Sequence, residues 1–287
     1  MLPLRQGIRQ LRNDALLSFY KRVRPAGLDT FLSDNAGLKG KDVALVIAFE
    51  QPWALDWQLE MAARNLPGTA VLVFDNSRSP QSRAQIRQVC AAHGAPYFPL
   101  PEYRTRHVNR SHGMAMTWVY YSVVRALEPR VFAFIDHDLI PVHEVDFAQR
   151  LQGQPVFGLI NSGNFGHWST WAGYCMFRYT AVEGAPMNFL YDFSRELDTG
   201  GRNWNALYRS LDAASLRFAS REFIGTRIDP DESAQQVECI DGRWIHIGGV
   251  GYNDNFERKF DFFDGLRNAL KDGRSWDELR LGQEAGA

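Results

Sequence analysis

Cysteine is scarce in this chain. Cys90, Cys175 and Cys239 are the only three in 287 residues, and they lie far apart. That spacing provides neither a zinc-ligand set nor a disulfide framework, and it suits a reducing compartment. An excess of one charge is also missing. Lys and Arg number 32 and Asp and Glu 33, for a formal net charge of −1, so the chain as a whole is no nucleic-acid binder by charge. No apolar run reaches membrane-spanning length, and the start lacks the apolar core of a secretory signal. Internal repeats, low-complexity tracts and linkers are absent as well. The expectation is a cytoplasmic protein, soluble or peripheral to the inner membrane. Its hydrophobic content of 45% is ample for a sizeable core.

What is present falls into an alternating pattern. Val43 to Phe49 (VALVIAF) reads as a buried strand, followed by Glu50 and a helix over Ala54 to Asn65. Ala70 to Phe74 reads as a second strand ending in Asp75-Asn76-Ser77. A helix from Pro80 to about His93 and a short strand at Tyr97 to Leu100 follow. Strands and helices at such spacing predict an α/β fold with a mostly parallel, doubly wound sheet. A helix over Met114 to Leu127 feeds the next strand, and Val156 to Ile160 and Ala172 to Arg178 read as two more. Helices are predicted at Asn188 to Leu197, Trp204 to Leu211 and Phe256 to Leu270. Ahead of all this, Leu4, Ile8, Leu11, Ala15, Phe19 and Val23 recur at helical spacing among Arg5, Arg9, Arg12, Lys21, Arg22 and Arg24. This basic amphipathic helix either lies on an anionic membrane through residues 1–25 or packs on the domain with its arginines solvated. The economical division is an N-terminal appendage over 1–40 and one domain over 41–287.

The stretch that organises the rest is Val131 to Val142, VFAFIDHDLIPV. Its apolar run reads as a strand buried on both faces. Asp136 and Asp138 arrive where that strand leaves its sheet. Open α/β sheets bind ligands at this edge, and paired carboxylates suit a hard cation; a solvated, capped strand end is the alternative. Glu50 and Asp75 fall on the same predicted edge. His246 sits between isoleucines just before a glycine cluster, as a core histidine or a ligand. Asp75 can equally stabilise its own turn. Trp168 and Trp171 line either a site or the core.

The order VALVIAF, then VLVFDNS, then Asn109-Arg110 ahead of a helix, then FAFIDHDLIPV resembles the nucleotide-sugar-binding half of GT-A glycosyltransferases. The likeness is to the large bacterial family with a DNxS turn after strand two. It covers roughly residues 42 to 180, leaving 181–287 as the acceptor side. The resemblance implies a Rossmann-like GT-A fold and a metal-dependent transfer of sugar from a nucleotide diphosphate to a carbohydrate or lipid-linked acceptor, as in surface-polysaccharide or glycolipid synthesis. It implies nucleotide-sugar contacts from Ala48, Phe49, Glu50, Asp75, Asn76, Asn109, Arg110, His112, Gly113, Asp136 and His137. It also implies Mn²⁺ or Mg²⁺ on Asp136, Asp138 and His246, with Arg104, Arg106 or Arg110 near the phosphates. One feature departs from the pattern: no Glu-Asp pair precedes a helix after the metal motif. Asp198 is the nearest substitute for the acceptor's base, ahead of Glu183 and Asp192, and it also reads as a turn aspartate. Two rival functions remain: a sugar nucleotidyltransferase, against which AFEQPW replaces the usual Gly-rich basic loop, and a non-catalytic nucleotide-binding scaffold.

Overall fold

The computed structural model describes residues 4–102, 105, 107–231, 233–250 and 255–281, with the side chains of residues 4, 5 and 255 left outside the description. Arg104 and Arg106 therefore lie outside the described residues. The centre of the molecule is β1 (Asp42–Ala48), all of whose residues are buried. Its sequence DVALVIA has no polar face to offer water, so both faces must be covered. Val43, Leu45 and Ile47 join one core cluster, and Val46 and Ala48 join another on the opposite face. The two clusters are closed by helices on either side of the sheet. α1 (Leu4–Tyr20), α2 (Leu28–Asp34) and α5 (Val108–Val119) cover the first. α3 (Pro52–Asn65) and α4 (Pro80–Ala92) cover the second. α4 starts where expected because Pro80 stands in its first turn and the Ser79 hydroxyl accepts from the Ser82 N–H. α5 runs on through a π turn at Tyr120–Val124.

The main sheet also contains β2 (Thr69–Asp75), β3 (Tyr97–Pro99) and β4 (Val131–Asp136). After β4 the chain makes β5 (Leu139–Pro141), then β6 (Val156–Ser162) and β7 (Trp168–Arg178). The strand order in the main sheet is β3-β2-β1-β4-β7-β6. β1, β2, β3 and β4 are parallel, and β7 runs antiparallel to both β4 and β6. The expected mostly parallel central sheet flanked by helices is present. A second sheet was not foreseen. It is antiparallel, in the order β5-β10-β9-β8, and adds β8 (Arg221–Thr226), β9 (Gln235–Ile240) and β10 (Trp244–His246). The chain passes from one sheet to the other across His137-Asp138.

Two expected helices do not form. Residues 188–197 are turns closed by an Asp192–Leu197 bridge, and residues 204–211 hold only short 3₁₀ turns. Side-chain acceptors take the N–H groups a helix would have used. Asp192 accepts from the Ser194 N–H at 2.9 Å, Asn188 from the Leu190 N–H at 3.0 Å, and Asn203 from the Asn188 N–H at 2.6 Å. Such local bonds compete with helix formation. The helix at the other end forms as expected, over Asn255–Lys271.

Candidate functional site

The parallel register brings the strand ends level: Ala48 pairs with Asp75, and Ile47 with Asp136. Asp136 is the last residue of β4, and Asp138 precedes β5, so the two carboxylates flank the change of sheet. A buried amide holds this turn. Gln58 of α3 donates to the Asp136 carbonyl at 2.7 Å and to the Leu139 carbonyl at 2.8 Å. The Ile247 N–H donates to the Asp138 carbonyl at 3.1 Å. The second sheet then delivers the third group. Because β5 pairs with β10, His246 stands opposite Leu139, and β9 places Glu238 opposite His246.

The result is a cluster in which Asp136, Asp138 and His246 each present a ligand atom, all within 4.8 Å of one another. His246 Nε2 lies 3.8 Å from Asp138 Oδ1. Its Nδ1 lies 2.9 Å from a Glu238 carboxylate oxygen, and Arg221 Nε is 2.6 Å from the other. Burial would lower the His246 pKa, but Asp138 and Glu238 outweigh it and the net direction is up. Burial pushes the Asp136 carboxyl above its usual range; His112, 3.6 Å away, pulls against this and Asp138 adds to it. Burial also holds His137 below its ordinary value despite both aspartates, and its Nε2 is buried with no hydrogen-bond partner among the described residues.

These features fit a divalent cation. Asp138 adds to the upward push on Asp136, and His112, His246 and His137 only oppose it; buried carboxylates need a cation or good hydrogen bonds. Oxygen ligands with one imidazole suit Mn²⁺ and related ions. Glu238 supplies the outer carboxylate that fixes a ligating histidine, leaving Nε2 free to face the aspartates.

The cluster opens into a cavity of about 250 Å³. Phe49, Asn76, Asn109, His112, His137 and Asp198 line it together with the three clustered residues. Asn76 donates to the Ser111 hydroxyl at 3.0 Å. Asp198 is exposed and accepts from Asn109 Nδ2 at 3.0 Å, so the 198 turn is tied to the start of α5 at the cavity wall. Trp171 also lines the cavity, its ring 5.0 Å from that of His246. Trp168 is instead core, packed on Tyr208 and Phe218.

The remaining expected residues lie outside the lining. Ala48 is buried core and its carbonyl accepts from the Asn76 N–H. Glu50 braces the loop after β2: its carboxylate accepts from the Arg78 N–H at 2.6 Å and the Ser79 N–H at 3.1 Å. Asp75 is fully buried, with one oxygen accepting from the Ser77 N–H and the other from the Tyr97 hydroxyl, both at 2.8 Å. Arg110 is half-buried, and its N–H donates to the ring of His107 at 3.4 Å. Gly113 packs where a Cβ would overlap the Phe189 carbonyl, so it serves the contact of α5 with residues 189–190. Asp192 is buried and bound to Ser194 and Arg195, and Glu183 lies at the opposite end of the sheet beside Glu128 and Arg178.

Four site residues escaped the sequence reading: Gln58, Glu238, Arg221 and Gly173. A Cβ on Gly173 would overlap Trp171 and stand 2.5 Å from Asp136 Oδ2, so this position in β7 needs glycine. For Glu238, Arg221 and Gly173 the signal is a register across strands, and for Gln58 it is the packing of α3 on the sheet; no local motif carries either.

No protein-family model matches the chain, and no curated protein matches it. Among solved structures, the chain is similar to a mannosyltransferase, PcManGT from Pyrobaculum calidifontis, in complex with GDP-Man and Mn²⁺. Identity is 10% over 93% of this chain and 75% of that one, with a TM-score of 0.45. It is also similar to S. aureus TarS, at 15% identity over 52% of this chain and 30% of that one (TM-score 0.37). A third is glucosyl-3-phosphoglycerate synthase from Mycobacterium tuberculosis in complex with UDP. Identity there is 14% over 57% of this chain and 66% of that one (TM-score 0.36).

Proposed function

We propose that this chain is a metal-dependent glycosyltransferase. It moves a sugar from a nucleotide-diphosphate-sugar donor to a carbohydrate or lipid-linked acceptor, in surface-polysaccharide or glycolipid synthesis. Residues 41–287 act as one catalytic domain in this reading. The observation that carries it is the convergence of Asp136, Asp138 and His246 within 4.8 Å at the carboxyl edge of the parallel strands, in a cavity walled on its far side by Asp198.

Asp136, Asp138 and His246 would hold Mn²⁺ or Mg²⁺. Bound there, the ion supplies Lewis-acid stabilisation of the charge that grows on a departing diphosphate. The chain's own residues do the rest. Glu238 orients His246, and Arg221 holds Glu238. Phe49, Asn76 and Asn109 line the part of the cavity that the nucleotide would occupy. Asp198 is the acceptor's general base: it is exposed where it lines the cavity, and Asn109 fixes one of its oxygens.

The test is thermal unfolding with Mn²⁺ and, in turn, UDP, GDP, CDP and ADP. A nucleotide present at about 100 times its dissociation constant stabilises the native state by roughly 2.7 kcal/mol. We expect one nucleotide to raise the melting temperature only with metal, and Asp138→Ala to lose that rise. Nucleotide-sugar turnover lost in the same variant separates an enzyme from a scaffold. A chain that responds to none of the four nucleotides with metal refutes the donor site.

A further inference from the structure

α1 has two opposed faces, and the domain uses only one. Asn13, Leu17 and Tyr20 are buried and fall within one quadrant at 100° per residue. Tyr20 donates to the Pro101 carbonyl, and Asn13 to the Tyr191 hydroxyl at 2.8 Å. Directly across the helix stand Ile8, Leu11, Ala15 and Phe19. Ile8, Leu11 and Phe19 are 59%, 72% and 77% exposed, three of the six large apolar side chains that the described residues leave in solvent. Isolated exposed apolar residues mean nothing, but a contiguous stripe marks a contact. The apolar repeat legible in the sequence is thus the outward stripe, and the domain is held by a second, polar-containing one.

The charge beside the stripe says what covers it. Arg12, next to Phe19 around the helix, and Arg22, just past its end, are exposed, and neither forms an ion pair among the described residues. The single acid of the helix, Asp14, is neutralised by Arg202 at 2.9 Å. A second copy related by two-fold symmetry would set these arginines against their own kind. An anionic surface would not. The helix is about 25 Å long, and among the described residues no helix is long and apolar enough to cross a membrane. The fit is therefore to a helix lying in the plane of the interface.

We infer that α1 docks this protein onto an anionic phospholipid surface, with Ile8, Leu11, Ala15 and Phe19 in the acyl boundary and Arg12 and Arg22 among the headgroups. The docked helix is tied to the cavity wall. Tyr191, which binds Asn13, packs on His107 at 5.3 Å. His107 opens α5, and two residues on Asn109 binds Asp198. Docking so holds the Asp198 side of the cavity beside the lipid. The inference is independent of which reaction the cavity performs.

The experiment is co-sedimentation of the full chain with vesicles of phosphatidylcholine alone or with phosphatidylglycerol, at low and high salt. Binding is expected only to the anionic vesicles and is lost at high salt. Leu11→Ser with Phe19→Ser weakens it by about tenfold or more. Arg12→Gln with Arg22→Gln weakens it by about fivefold for each arginine removed. Both variants change exposed positions and keep the melting temperature of the wild type. Equal binding to neutral vesicles, no binding to anionic ones, or full binding by the serine variant overturns the proposal. So does a dimer in sedimentation velocity that the serine variant dissolves, since the occupant is then a second copy.

Discussion

Asp75 and Asp136 end two parallel strands of one sheet, β2 and β4, on either side of β1, yet they lead opposite lives. At the end of β2, both Asp75 oxygens are spent inside the loop, on the Ser77 N–H and the Tyr97 hydroxyl, and the side chain is sealed from solvent. At the end of β4, Asp136 faces the cavity with Asp138 and His246 close by and His112 at 3.6 Å. The strand end does not decide a carboxylate's role; the neighbouring donors do. Where local N–H and O–H groups saturate the oxygens, the acid is structural. Where none is supplied, the unmet charge becomes a demand for a cation.

That contrast can be broken at its structural side first. Asp75→Ala leaves the buried Ser77 N–H and the partly buried Tyr97 hydroxyl without their acceptor, and we expect a loss of roughly 2 to 4 kcal/mol of stability. Urea unfolding reads it, and an unchanged midpoint would mean the loop is held by something else. Next comes the support beneath Asp136. Gln58→Leu removes both hydrogen bonds that pin the turn, at a cost of about 1 to 3 kcal/mol. The variant should also bind Mn²⁺ more weakly, because Asp136 and Asp138 lose their fixed separation; stability loss with metal affinity intact would sink the positioning role. The smallest effect sharpens the other side. Glu238→Gln preserves size but weakens the partner that orients His246. Mn²⁺ affinity should fall about tenfold or more, with little change in the metal-free melt. Titration of manganese by electron paramagnetic resonance checks this, and wild-type affinity would show that His246 needs no such partner.

A second contrast runs between the two sheets. The parallel strands were legible because each is a short, unbroken apolar run, as in VALVIAF and VFAFID, and because strand and helix alternate. The antiparallel sheet was not. Its strands REFIGT and QQVECI are half exposed and mix charge with apolar residues, so their period is blurred and their burial one-sided. Yet that sheet brings His246, Glu238 and Arg221 to the aspartates. Likewise, the LDTGG turn was visible around Asp198, whereas the helices expected on either side of it gave way to side-chain-capped turns at Asp192 and Asn203.

The sequence by itself determined the alternating strands and helices, the carboxylates at Asp136 and Asp138, and the apolar stripe of α1. These are local properties: hydrophobic period, chain reversal and residue type act over a few neighbours. Only the tertiary structure decided that His246 stands beside the aspartates rather than in the core, that Asp75 is spent inside its own loop, that Gly173 must leave room beside Asp136, and that the stripe of α1 faces outward. Each of those depends on which segment lies across a sheet or against a helix, and pairing register is a property of two distant stretches together, which neither carries alone.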